Sequence, residues 1–260
     1  MSKILMANWK MNQTLESIKN FFVDTSRLGL ENRQQHKLVI CPQALHLGLC
    51  KELAFTTGQF EIGAQDCAAW PKEFGAYTGD ISAYSLAEMG AKYVLIGHSE
   101  RRQYYQESSS FLAQKITNAL KASLIPVYCL GEQEQHRKEG IKKILEVLLE
   151  QLNVFSTISP TILQGKHLLF AYEPVWAIGT GLTPTVEQVQ EIHQFIQRWH
   201  VQFFQDKHCH VEGILYGGSV TPENIASFLS LSEIQGALIG GASLDGKKMA
   251  KMVLECQKIA

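Results

Sequence analysis

No cysteine in this sequence has a partner at metal-ligand or redox spacing. Cys41, Cys50, Cys67, Cys129, Cys209 and Cys256 stand singly, without a CxxC. No His/Cys/Asp/Glu grouping has the spacing of a metal centre, so neither a metal nor another cofactor is expected, and a disulfide framework is not indicated. Excess charge is lacking too. A formal net charge of -1 leaves no bulk field to attract nucleic acid or an anionic membrane, and neither is expected as a partner. No apolar run approaches the roughly 20 residues that cross a bilayer. The opening residues Met1 to Ala7 carry no long signal-type apolar region or cleavage site. Reduced structural thiols and a cytoplasmic location are the expectation. Linkers rich in Pro, Gly or Ser, repeats and low-complexity tracts are also missing, so residues 1–260 are expected to form one domain.

What is present is a repeated alternation. Short apolar runs occur at Lys3–Ala7, Lys37–Cys41, Phe60–Ala64, Lys92–Ile96, Leu124–Cys129, His167–Tyr172, Val211–Leu215 and Gly236–Ile239. Helical spacing follows most of them. Thr14 precedes Leu15, Ile18, Phe22 and Val23; later come Leu112, Ile116, Ala119 and Leu120, then Ile141 to Leu152, then Val186 to Trp199 capped by Thr183 or Thr185. A helix is expected from about Pro222, and a last one over Gly246 to Gln257. Strand then helix, about eight times over, implies an α/β fold with a parallel sheet and right-handed crossovers. In this length eight units favour a closed (β/α)8 barrel, and no GxGxxG follows the first strand to support a dinucleotide fold.

A parallel barrel gathers its site at the C-terminal ends of the strands. Those ends carry Asn8 and Lys10, then His98 and Glu100, then Glu173, then Gly217-Gly218-Ser219 and Gly240-Gly241. The glycine-rich turns after strands seven and eight suit backbone N–H donation to a phosphate, or else are packing turns in which only glycine tolerates positive φ. Glu173 ends a strand and is followed by Pro174, then by Val175 to Ile178, then by Gly179-Thr180-Gly181. This pattern reads as a base under a lid, or as an edge strand with an ordinary loop. Base, donor and cation around a small phosphorylated substrate suit proton abstraction beside a carbonyl. Singly, Lys10 reads as a surface charge, His98 as a core histidine and Glu100-Arg101 as an ion pair. The long non-periodic segment Gln65 to Gly79 reads as functional or interface-forming.

Six segments carry a resemblance over essentially the whole chain: Asn8–Asn12, Gly75–Gly79, Ile96–Arg102, Ala171–Gly181, Tyr216–Val220 and Leu238–Leu244. Tyr172-Glu173-Pro174-Val175-Trp176-Ala177-Ile178-Gly179-Thr180-Gly181 is the most specific. The chain resembles the triosephosphate isomerase family, which implies a TIM barrel interconverting dihydroxyacetone phosphate and D-glyceraldehyde 3-phosphate, a step of glycolysis and gluconeogenesis. The resemblance gives Glu173 the role of base and Lys10 that of stabilising cation. His98 becomes the neutral electrophile, its pKa lowered by a helix N-terminus as is known of that family. Asn8 is implied as a substrate oxygen contact and Glu100 as the holder of Lys10. Val175 to Thr180 match a phosphate-gripping lid with Gly179 as donor, and Ser219, Gly240 and Gly241 match fixed phosphate contacts. Thr78 matches a residue reaching into a partner's site, which implies a homodimer through the 65–79 loop.

Three positions depart from that pattern. Gln235 stands where an aspartate partner for Arg101 is expected, Asp66 where an asparagine is usual, and Leu182 where a lysine is frequent. Rival readings are a metal-dependent epimerase, a Schiff-base aldolase using Lys10, and a non-catalytic phosphosugar-binding barrel.

Overall fold

The computed structural model describes residues 2–27, 36–179 and 182–259. Eight parallel strands close into a barrel in sequence order: β1 (Ile4–Asn8), β2 (Lys37–Cys41), β3 (Glu61–Ala64), β4 (Ala91–Ile96), β5 (Ile125–Leu130), β6 (His167–Tyr172), β7 (His210–Tyr216) and β8 (Gly236–Ile239). β1 closes the ring, pairing with β2 from Ile4↔Lys37 and with β8 from Ile4↔Gly236. Strand bounds match the apolar runs to within a residue or two. Each run is buried on both faces, one against the barrel interior and one against the helices, which is why it reads as continuous rather than alternating.

The period of two along a strand assigns the faces. Ile4 and Met6, Tyr93 and Leu95, Val127 and Cys129, Leu169 and Ala171, and Leu215 and Leu238 fill the interior. Leu5, Ala7, Val94, Ile96, Tyr128, Phe170 and Tyr172 face the helical shell. Two residues further along each inward series gives the mouth: Asn8, Gly97, Gly131, Glu173, Gly217 and Gly240. Glycines around the rim leave a hollow, and Asn8 and Glu173 are the polar side chains in that series.

The helical expectations need three corrections. In the helix Leu15–Arg27 the buried positions are Ile18, Phe21, Phe22 and Thr25, while Leu15 and Val23 face outward. The helix after β7 starts at Ile225, not Pro222, because Asn224 Oδ1 accepts from Thr221 N–H and holds residues 221–224 as a turn. Ile141 and Leu149 are exposed, and the helix Ile141–Leu152 buries Ile144, Leu148 and Leu152. Thr185 does cap the helix Val186–Phe204, accepting from Gln188 N–H at 3.2 Å. All six cysteines are free thiols and five are buried.

Candidate active site

β6 delivers Glu173 into the mouth, where it is 2 % exposed. Its carboxylate has two partners. Oε2 accepts from Ser99 N–H at 2.9 Å, and Oε1 lies 2.9 Å from His98 Nε2. His98 is the N-terminal cap of the helix Ser99–Tyr105, and its Nδ1 accepts from Glu100 N–H at 3.3 Å. An Nδ1 that accepts carries no proton, so the neutral ring has its hydrogen on Nε2 and donates it to Glu173.

This contact tunes both groups. Burial pushes the Glu173 carboxyl up, but His98, the Ser99 N–H and Lys10 outweigh it and hold the group below its ordinary range. Burial pushes the His98 imidazole down, yet the adjacent Glu173 carboxylate, helped by Glu100, lifts it above its ordinary value. The lowered pKa expected for His98 is therefore not what this arrangement produces. The helix N-terminus is present, but the carboxylate in contact with Nε2 dominates.

β1 delivers Asn8 and, beyond it, Lys10. Asn8 Oδ1 accepts from Lys10 N–H at 3.1 Å. Lys10 has φ of 51°, an uncommon conformation for a residue with a side chain. Two contacts hold it there: its carbonyl accepts from Gln65 Nε2 at 2.8 Å, and its Nζ pairs with Glu100 Oε1 at 2.6 Å. Gln65 also donates to Cys41 O at 2.9 Å, so one side chain ties the ends of β1 and β2.

A cavity of about 280 Å³ opens among these groups, lined by Lys10, His98 and Glu173 and by Gly179, Ser219 and Gly241. Among the mouth turns the glycines have different causes. A Cβ at Gly217 would lie 2.9 Å from Glu173 Cγ, and one at Gly218 would lie 2.2 Å from the Tyr216 hydroxyl oxygen, so packing requires both. A Cβ at Gly241 would meet nothing within 4 Å, and one at Gly240 only the Lys10 side chain at 3.5 Å and beyond. None of the four has the positive φ that the packing-turn alternative supposed. At Gly240 and Gly241 it is the cavity, not the protein, that gains from a bare backbone. Buried Ser243 holds this turn by sharing its one hydroxyl hydrogen between Ile239 O and Gly240 O, at 2.9 and 2.7 Å.

Above the cavity, Gly179 takes φ of 71°. The segment Val175–Ala177 is a single 3₁₀ turn. Fully buried Glu132 anchors it: Trp176 Nε1 donates to Oε1 at 2.9 Å, Tyr172 hydroxyl to Oε2 at 3.0 Å, and Val175 N–H to the Glu132 carbonyl at 3.1 Å. Thr180 and Gly181, the expected far end of the lid, lie outside the described residues.

Of the residues singled out from the sequence, Asn8, Lys10, His98, Glu173, Gly179, Ser219, Gly240 and Gly241 line this one cavity, and Glu100 joins through Lys10. Thr78 does not; it is exposed on the third loop. Gln65, Ser99 and Glu132 were missed. Glu132 lies just past the end of β5, the position that signals a site in a barrel, and its partners are Tyr172 of β6, Trp176 of the Val175–Ala177 turn and Arg137. Gln235 is corrected: it sits at the start of β8, where its Oε1 accepts from Ile214 N–H, at the opposite end of the barrel from Arg101. Arg101 Nε instead meets Asp66 at 2.8 Å and Glu107 at 2.6 Å, and Lys115 meets the same two carboxylates at 2.7 and 2.6 Å. Among the described residues no group of three or more His, Cys, Asp or Glu could hold a metal ion, and no helix is long and apolar enough to cross a membrane.

The family model described as triosephosphate isomerase matches residues 3–256. The chain is 38 % identical to triosephosphate isomerase of a Psychrobacter species, covering 94 % of this chain and 95 % of that protein. It is 40 % identical to the enzyme of that name from Dictyoglomus turgidum, covering 93 % and 94 %. The crystal structure of triosephosphate isomerase from Bartonella henselae superposes with a TM-score of 0.81 at 34 % identity, covering 99 % of this chain and all of that one.

Proposed function

The chain belongs to the triosephosphate isomerase family, and we propose that it interconverts dihydroxyacetone phosphate and D-glyceraldehyde 3-phosphate through an enediolate. The observation that carries the residue roles is the meeting of buried Glu173, the His98 Nε2–H and the Lys10 side chain at one cavity. Glu173 takes the proton from C1 of the ketose. The C–H electron pair becomes the C1–C2 double bond, and the carbonyl oxygen becomes an oxyanion. His98 donates from Nε2 to that oxygen, the Lys10 ammonium faces the developing charge, and Asn8 contacts a substrate oxygen. Transfer of the O1 hydroxyl proton to the O2 oxyanion, with His98 Nε2 as the group in place to relay it, lets O1 reform a carbonyl while Glu173 returns its proton to C2, which completes the aldose. No metal or other cofactor enters the scheme.

The contact between Glu173 and His98 gives the cycle its logic. A substrate carbonyl needs the same Nε2–H that Glu173 accepts, so binding exchanges one acceptor for the other. Glu173 then loses its strongest pKa-lowering partner while remaining buried, and becomes a stronger base once substrate is present. Gly179, Ser219, Gly240 and Gly241 are assigned to the phosphate, with Val175 to Thr180 as the closing lid. Closure excludes water and holds the enediolate against loss of its phosphate.

The reading includes a homodimer. A cleft of about 760 Å³ adjoins the site, lined by Met11, Gln65, Arg101, Tyr104 and Tyr105. Met11 is 86 % exposed, and Phe74, on the same 65–79 loop as Thr78, is 65 % exposed. We assign the cleft to the 65–79 loop of a second copy, which brings Thr78 to the partner's Lys10–Glu100 pair. The whole chain as one domain and a cytoplasmic location complete the proposal; the buried free thiols support the latter.

A coupled assay for the interconversion, run with a chelator present on wild type and Glu173→Gln, tests the reading. Turnover unaffected by chelator and lost in the variant is expected; chelator-sensitive turnover rejects it.

A further inference from the structure

We infer that Gln151 is a positioning residue for Glu173, acting through the backbone of Gly131, and that Arg102, Tyr128 and Gln151 form one brace behind the site. This rests on reading Glu173 as the base.

Gln151 lies in the last turn of the helix Ile141–Leu152, on the shell of the barrel. Its amide makes a reciprocal pair with a single residue. Gly131 N–H donates to Gln151 Oε1 at 2.9 Å, and Gln151 Nε2 donates to Gly131 O at 2.9 Å. Both peptide planes flanking Gly131 are thereby fixed by one planar group. Gly131 in turn touches the base. A Cβ there would lie 1.7 Å from the Glu173 carbonyl oxygen, so the two backbones are in direct contact. Glu173 N–H donates next door to Leu130 O at 2.8 Å.

The other end of the brace reaches His98. Tyr128 hydroxyl donates to Gln151 O at 2.6 Å and accepts from Arg102 Nη2 at 3.0 Å. Arg102 also donates to Cys129 O at 2.9 Å and from Nε to Gly97 O at 2.7 Å. Gly97 immediately precedes His98. The residue before the electrophile and the residue beside the base are therefore joined through three side chains that lie outside the substrate cavity.

The brace has something to resist. A second cavity of about 120 Å³ lies behind Glu173, bounded by Ser99, Gly131, Gln151 and Val175. Without the amide pair the end of β5 is free to shift into that space and carry the Glu173 backbone with it. A displacement near 1 Å at a reacting group costs on the order of 10²-fold in rate. Ser219, Gly240 and Gly241, assigned to the phosphate, have no bond to Gln151 or Gly131 and stay in place.

The test compares Gln151→Leu and Gln151→Glu with wild type. Gln151→Leu is expected to lower kcat by about 10- to 100-fold, with KM and the inhibition constant of inorganic phosphate within about twofold of wild type, since binding is not positioned by Gly131. A glutamic acid, when protonated, reproduces both bonds of the amide, and when ionised it opposes the Gly131 carbonyl. The kcat of Gln151→Glu relative to wild type should therefore rise as pH is lowered from about 7 to about 5, toward the ordinary carboxyl range. Wild-type kcat in Gln151→Leu, or a kcat loss matched by an equal loss of phosphate affinity, overturns the inference. Should Gln151→Leu not fold, a flat pH ratio for Gln151→Glu overturns it instead. Glu173→Gln is assayed alongside. If that variant turns over normally, the base assignment fails; if it is inactive while Gln151→Leu is normal, only the brace fails.

Discussion

Glu173 Oε1 and His98 Nε2 lie 2.9 Å apart, and both side chains are almost fully buried. The groups assigned as base and electrophile thus hold each other, and each must release the other to act on substrate. Replacing Glu173 by Gln keeps the size and a bond to Ser99 or His98 but removes the base. Turnover is expected to fall by at least the 10²- to 10⁴-fold typical of general base catalysis. Inhibition by inorganic phosphate should stay near wild type, and initial-rate kinetics measure both.

The same pair sets a pH dependence of stability. Glu173 is held below its ordinary 4.5, so its contribution is present above that value and is lost as pH falls through the lower folded value. His98 is held above its ordinary 6.5, so its contribution is present below that value and is lost as pH rises through the higher folded value. The stabilisation that His98→Ala removes should be largest between about pH 4.5 and 6.5 and smaller at alkaline pH. Urea unfolding of both proteins across that range, at one protein concentration, measures it; a deficit that grows steadily toward alkaline pH contradicts the assignment.

Much of the site was legible because side-chain direction alternates. Leu169 and Ala171 point into the barrel, so Glu173 does too, and the same rule places Asn8, Gly217 and Gly240 at the mouth. What was not legible depends on contacts across register. Gln65 holds Lys10 from two strands away, Glu132 reaches the lid, and Gln151 reaches Gly131 from the helical shell. A glutamine on an amphipathic helix has no local mark that sets it apart from a solvated one. Gln235 failed for the opposite reason: a pairing expected from family pattern alone ignored that the start of β8 and the end of β4 lie at opposite ends of the barrel.

Lys10 is expected to act in both binding and turnover, since its ammonium faces the cavity from a backbone that two partners hold at positive φ. Lys10→Ala should raise KM and lower kcat together. An unchanged kcat/KM would remove Lys10 from the site.

Gly131→Ala adds a methyl group where the Glu173 carbonyl oxygen already lies. Neither backbone can give way without moving the base. A kcat loss on the order of 10²-fold is expected, with the variant still folded by circular dichroism; an active Gly131→Ala contradicts the contact.

Lys115 is fully buried and shared between Asp66 and Glu107, with Arg101 beside them. Lys115→Met leaves these carboxylates with one cation. A loss of about 3 to 5 kcal/mol is expected from breaking a buried pair on one side, read from urea unfolding at fixed protein concentration. A variant as stable as wild type would mean that Arg101 alone suffices.

Glu173 is proposed to move a proton between two carbons. Dihydroxyacetone phosphate incubated in D2O with wild type, and separately with Glu173→Gln, and followed by proton NMR, tests it most directly. Deuterium is expected at C1 of the ketose and C2 of the aldose with wild type, and at neither with the variant. Interconversion and deuterium uptake with Glu173→Gln equal to those with wild type contradict it.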